Sequence, residues 1–387
     1  MDILIVILLI VLFNAFLIRL LADRFPVHSP GYLWTLFIFH FLMTIAYTAY
    51  ALSTASDSIS YYRVTAASDD WLSHLETGTE FIHFLAWPFV SGLNLSYIAT
   101  TIIFSYFGFL AILYLYITAK ENITLPVGFL GLTLVELVFL LPNLHFWSSS
   151  IGKGSSILFG LSMFVFGLSR VNRRLLLIVL GSVIVFFIRP HIFITLVVSI
   201  MLGLMITPTG IKGYLRWPLL IFSALVFLYL SDSVLSFTEV ESFDITSSNA
   251  LSKRAADLGK ASSGVNIQEY GLFMKMFTFW FRPLFVDGMG AFGFIVSFEN
   301  AAYLVMFFFL IKEGITSWSK WNGWFRICLF IFILGSFILA QVTGNLGIAI
   351  RQKAQFMPFF FIVFLKAMSY RNQPSVQQPR LSVHRYS

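Results

Sequence analysis

Cysteine is almost absent from this sequence. Cys328 stands alone in an apolar run, which excludes disulfides and cysteine–metal sites within the chain. Charge is scarce as well: Asp, Glu, Lys and Arg make up 11% of the 387 residues, against about 25% in a soluble domain. The seven histidines are scattered. There is no Walker loop, dinucleotide fingerprint, HExxH helix or Cys/His ligand set. No metal, cofactor or nucleic acid is therefore expected, and no Ser-His-Asp triad is legible from spacing. No internal repeat is visible. What the chain has in abundance is apolar surface, with 58% hydrophobic residues and 45 Phe. That composition predicts an all-α, polytopic integral membrane protein.

Apolar runs occupy 2–21, 31–52, 95–118, 124–142, 154–169, 175–188, 190–207, 217–231, 294–311, 325–341 and 355–368. By the usual length criterion they predict about eleven transmembrane helices in one multi-spanning domain, 1–370. A further run, 81–93, holds His83, Trp87 and Pro88. It is short enough to be re-entrant or interfacial, which is tolerated where it lines a protein cavity. The start, Met1-Asp2-Ile3-Leu4, lacks the basic region of a cleavable signal peptide.

The charges orient the bundle. If the tail 371–387, polar and expected to be disordered, is cytoplasmic, threading backwards puts fifteen bases and three acids on that side, among them Lys120, Arg170, Arg174 and Arg326. The other side then holds ten bases and fifteen acids, as the positive-inside rule requires. Two long external loops follow, 53–94 and 232–293. This threading assumes that 81–93 does not cross.

Against this background Asp57, Lys153, Arg189, Arg282 and Arg351 stand out. All five fall at membrane depth and on the external side. Ionisable groups at that depth are costly and mark a site or a path more often than packing. One acid among several bases points to an anionic, phosphate-bearing substrate and a general base.

Asp57 follows the second helix, with Tyr61 and Tyr62 close behind. Partly shielded by aromatics, such a carboxylate would serve as a base on a sugar hydroxyl. A solvated aspartate at a helix end is the ordinary alternative, and Asp69, Asp70, Glu76 and Glu80 are rival acids in the same loop. The stretch Pro142 to Gly154, with His145, Trp147, three serines and Lys153, opens a helix whose N-terminal N–H groups favour anions. An ordinary capped loop in an aromatic belt would look similar. Arg189-Pro190-His191 breaks about 33 apolar residues, so the arginine must snorkel or pair. Arginine and histidine together suit a phosphate. Arg282-Pro283 ends the second loop after an amphipathic run, 270–285, expected to lie in the interface. Arg351 and Lys353, after Gly344-Asn345, break the positive-inside pattern. They either bind something anionic or are tolerated external bases.

Taken in order, the acidic-Tyr motif, the Pro-x-x-x-Phe-Trp-Ser segment running into Gly-Lys, the Arg-Pro-His break, the external Arg-Pro and the late Gly-Asn…Arg-x-Lys resemble bacterial polysaccharide polymerases of the Wzy and EpsG kind. The resemblance covers most of the chain, though each motif alone is weak. Arg282 and Gly293 also show the Arg-x10-Gly spacing of some polymerases and ligases, which is common by chance with 25 glycines. The resemblance implies a GT-C-like glycosyltransferase at the periplasmic face of the bacterial inner membrane. It would polymerise or transfer undecaprenyl-diphosphate-linked units during O-antigen, capsule or exopolysaccharide synthesis. Asp57 would be the catalytic base, and Tyr61, Tyr62, His145, Trp147, Lys153, Arg189, His191, Arg282 and Arg351 would bind substrate. Partners implied are the lipid-linked glycan, membrane lipid, and a chain-length regulator or other assembly proteins. A flippase for the same lipid is the alternative, kept open by Glu136, expected deep in the fourth helix. A non-catalytic scaffold is a third reading.

Overall fold

In a membrane the apolar runs can satisfy their backbone groups only as helices or closed barrels. The computed structural model describes residues 1–24, 29–54, 56–206, 214, 217–218, 220–225, 264–287 and 290–371. Among these there are helices and two isolated β-bridges but no strand. Among the described residues six helices are long and apolar enough to cross a membrane, or seven if one bent pair counts as a single span.

The chain opens with α1 (Asp2–Arg24) and α2 (Pro30–Ser53). Ser56 accepts a hydrogen bond from Ser58 N–H and starts the short α3 (Asp57–Ala66). The run 81–93 becomes α4 (Glu80–Trp87) and a wide turn over Pro88–Gly92. Ser96 then caps α5 (Tyr97–Asn122). The run 124–142, expected to be one helix, is not one. It is a 3₁₀ turn, α6 (Leu134–Val138) and α7 (Pro142–Trp147). Gly131 and Leu130 take left-handed φ, Thr133 and Glu136 form a capping box that starts a new helix, and Pro142 cannot continue the old one.

The remaining helices are α8 (Lys153–Leu168), α9 (Val171–Ile188), α10 (Pro190–Ile206), α11 (Leu272–Phe281), α12 (Gly290–Ser317), α13 (Gly323–Val342), α14 (Leu346–Lys353) and α15 (Met357–Arg371). The run 190–207 is thus a 17-residue helix, and α14 and α15 meet at a 57° bend. Most of the run 217–231, most of the loop 232–293, Lys212, Arg216 and the tail beyond Arg371 lie outside the described residues.

Contacts sort the molecule into two ends. At one end Lys120 pairs with Glu136 at 3.2 Å, Arg174 pairs with Glu121 at 2.8 Å, and Arg326 donates to the carbonyls of Ile206 and Trp318. Glu136 is therefore not in mid-helix. It stands with a lysine at the basic end and accepts from the N–H and hydroxyl of Thr133. At the other end lie the Asp2 carboxylate on Ser96 N–H and the Phe187 carbonyl accepting from Gly78 N–H. The broken segment climbs between the two ends. It passes His40 at mid-helix through His145, and reaches Tyr47 of α2 through Trp147. It comes so close to α5 that a Cβ on Gly108 would collide with the Ser148 carbonyl. Irregular backbone of this kind is tolerated because it is packed inside protein.

Candidate functional site

The turn from α2 to α3 places Asp57 in the first turn of its helix, where the N-terminal dipole favours a carboxylate. From the far end of the chain, Asn345 caps α14 by accepting from Ile348 N–H, and Arg351 falls in the last turn, where a cation is favoured. The two meet: Arg351 Nη1 donates to Asp57 Oδ2 at 2.6 Å. The pair is open, with side chains 39% and 58% exposed.

Tyr61, one helical turn beyond Asp57, sits beneath them. Burial pushes its phenol up, Asp57 adds to the rise, and Arg351 and Arg189 oppose it, so both guanidiniums lie within electrostatic reach. Gly152 packs on the Tyr61 ring at φ 140°, where an added Cβ would lie 2.9 Å from Cε2. Only glycine suits that conformation and that approach. Lys153 follows as the first residue of α8. The ring of His83, which stacks edge-on against Tyr61, is within reach of its charge.

Arg189 caps the end of α9, where its N–H bonds Val185 O, and Pro190 forces a new helix. Its Nη1 donates to Gln355 Oε1 at 3.5 Å, in the bend between α14 and α15. His191 lies in the first turn of α10, where its carbonyl accepts from the Thr195 hydroxyl. Asp57, Tyr61, Lys153, Arg189 and Arg351 therefore converge from four helices or their caps.

The other expected residues sit elsewhere. Tyr62 turns away, donating to Leu95 O at 3.1 Å and packing on Tyr97. His145 is fully buried, with Nδ1 3.0 Å from His40 Nδ1 and Nε2 2.7 Å from Phe139 O. Trp147 is buried among Tyr47, Tyr50, Phe146 and Phe292. Arg282 is at the same end of the molecule, but its guanidinium is taken up locally by the Asp287 carboxylate and the Tyr270 hydroxyl.

Lys353, read from the sequence as an anion ligand or an external base, proves to be neither, and the groups around it were not singled out. Lys353 is wholly buried. Its ammonium donates to Asn300 Oδ1 at 2.6 Å, Arg282 O at 3.1 Å and Trp280 O at 3.3 Å. Asn300 also donates to Pro283 O, and Asn143 donates through its N–H to Glu299 and through its amide to Ile350 O. Tyr303 donates to Glu299. The network ties the Arg282 turn and the segment before Lys153 to the helix that carries Arg351. Its signal in the sequence was an Asn beside a Glu inside an apolar helix, Glu299-Asn300.

No family model, curated protein or solved structure matches the chain. The arrangement has a definite chemical capacity. A guanidinium on an open carboxylate, with a second guanidinium within reach of Tyr61 and an ammonium within reach of His83, suits a multiply charged anion bearing oxygen ligands. Among the described residues no His/Cys/Asp/Glu group is suited to a metal.

Proposed function

We propose that this chain polymerises or transfers undecaprenyl-diphosphate-linked oligosaccharide units at the periplasmic face of a bacterial inner membrane. The carrying observation is the convergence of Arg351, Arg189 and Lys153 around Asp57 and Tyr61 at the end of the molecule opposite the basic cluster of Lys120, Arg174 and Arg326. On this reading the basic cluster and the C-terminus are cytoplasmic. The chain passes eleven times. The long helices, the shorter α8 and α10, the bent α14–α15 pair and the broken segment before α8 would account for ten passes, and the run 217–231 for the last.

In the reaction the donor diphosphate displaces Asp57 from Arg351. The guanidinium exchanges one anion for another, and the carboxylate it releases takes the proton from an acceptor sugar hydroxyl. As the bond to the donor sugar breaks, charge grows on the leaving diphosphate, where Arg351, Arg189 and Lys153 stabilise it. Tyr61 shapes the floor. Arg282, held by Asp287, shapes the wall rather than binding phosphate. The partners are the lipid-linked glycan, surrounding lipid and other polysaccharide-assembly proteins such as a chain-length regulator. The flippase alternative loses its motive, because Glu136 is matched with Lys120 and Thr133.

The test is Asp57→Asn, assayed with labelled lipid-linked repeat units. The rate should fall about 10²–10⁴-fold, with unpolymerised units building up because the cations still bind donor. Asp69→Asn and Asp70→Asn are the controls. Normal polymer from Asp57→Asn together with a dead control would reassign the base, and normal polymer from all three would end the carboxylate mechanism.

A further inference from the structure

A second constellation lies in the external segment and plays no part in the proposed polymerisation. Ser68 follows the end of α3, His74 sits in the 3₁₀ turn Leu72–His74, and Glu80 begins α4. His74 Nδ1 is 2.7 Å from Glu80 Oε2, and His74 Nε2 is 2.7 Å from Ser68 Oγ. Hydrogen-bond accounting fixes the polarity of the first contact. An ionised carboxylate only accepts, so Nδ1 carries the proton and donates to Glu80. When the ring is neutral Nε2 is a lone pair, and the Ser68 hydroxyl, 2.7 Å from Nε2 and 3.4 Å from Asp70 O, donates to the nearer acceptor. We propose that Ser68, His74 and Glu80 form a nucleophilic serine site that cleaves or transfers the acyl group of a neutral carboxylic ester.

Three features support this role beyond the two distances. First, the nucleophile is held firmly: Ser68 N–H donates to Thr65 O at 3.1 Å, and its carbonyl accepts from Trp87 Nε1 at 3.0 Å. Second, among the described residues the N–H groups of Asp69 and Asp70, next along the chain, enter no hydrogen bond. Next to Ser68 in the chain and without an intramolecular acceptor, they are the donors proposed for a developing oxyanion. Third, the site is accessible. The Glu80 side chain is 43% exposed, and Trp71, exposed and stacked on Trp87 and Phe84, offers a flat apolar face to the substrate. The carboxylates of Asp69 and Asp70 disfavour an anionic substrate, which is why the ester is neutral.

The step balances without a further reactant except water or an alcohol. Ser68 Oγ forms a bond to the carbonyl carbon and its proton passes to His74 Nε2. The ester C–O bond breaks and the leaving alcohol takes that proton. Water or a second hydroxyl then attacks the acyl-serine, returns its proton through His74 and frees Oγ. Glu80 holds the ring in the working tautomer throughout.

The experiment uses the full chain in detergent with a fluorophosphonate probe, followed by peptide mapping, and with p-nitrophenyl acetate as a reporter ester. Wild type should be labelled once, at Ser68. Ser68→Ala, which removes only a hydroxyl, should abolish labelling while eluting as wild type. Glu80→Gln and His74→Gln should each slow labelling by about 10² or more. Absence of label on Ser68 in folded wild type, or equal labelling of Ser68→Ala, would overturn the proposal and leave the three residues as a loop anchor. Polymer formation is not the readout, so this outcome is separate from that of the Asp57 test.

Discussion

Two charged clusters share one end of the molecule and are built on opposite terms. Arg351–Asp57 is open to solvent, each group half-exposed and bonded to the other. Lys353 is closed. All three of its donors are used by three acceptors, and Glu299 is matched by Asn143 and Tyr303. Only one residue separates Arg351 and Lys353 on α14, so burial rather than sequence decides their roles. A charge whose bonds are complete holds structure together. A charge held by one exchangeable partner is available to a ligand.

The most severe way to break this contrast is Lys353→Met. It leaves two carbonyls, an amide oxygen and Glu299 without their buried cation. Removing one partner from such a setting costs about 3–5 kcal/mol. The variant should melt far below wild type in detergent and accumulate poorly; an unchanged melting temperature would mean the network carries no weight. Arg351→Ala should do the reverse. An exposed ion pair contributes about 0–1 kcal/mol, so the melting temperature should barely move. Polymer synthesis should nonetheless fall by about 10²–10³, the usual effect of losing one transition-state charge partner. Arg351→Lys should rescue it poorly if the contact is bidentate. Full activity in the alanine variant would remove Arg351 from the site.

How far the sequence could have drawn this contrast depends on the residue. The helical character, the approximate course of the long helices and the shared end of Asp57, Lys153, Arg189, Arg282 and Arg351 were legible, because hydropathy, proline breaks and charge bias are local signals. The passage 124–142 was misread because its average hydropathy hid a capping box and two left-handed residues. His145 and Trp147 look like site residues in a loop, but tertiary packing against α2 turns both inward. Arg282 was expected to face substrate, and a carboxylate five residues along holds it instead. The pairing of residue 57 with residue 351 and the satisfaction of Lys353 are long-range facts that no local spacing carries.

The mildest test concerns Asp287, a third kind of pair, partly shielded and close in sequence. Burial pushes its carboxyl up, but the Arg282 fork and Leu284 N–H more than offset that and hold it below the usual carboxylate range; Asp287 in turn raises Arg282. A depressed folded-state value means the stabilisation is present above the unfolded value of about 3.9 and is lost as pH falls through the lower folded one. Wild type should lose thermal stability between pH 5 and its acid limit by slightly more than Asp287→Asn does. Identical acid limbs would show that the pair contributes nothing to the pH dependence.

The broken climb from Ile123 to Gly152 has a consequence for biogenesis. A segment with two prolines, a capping box and helices of five and six residues has no form it can take alone in lipid, since its free backbone groups would face hydrocarbon. It cannot leave the insertion machinery as an independent hairpin partner. It must wait at the protein–lipid boundary until α5 and α8 can enclose it, and α8 is made only afterwards. On the proposed topology residues 97–168 enter the membrane as one unit, and a truncation ending between them should leave α5 inserted with an unprotected, protease-sensitive tail.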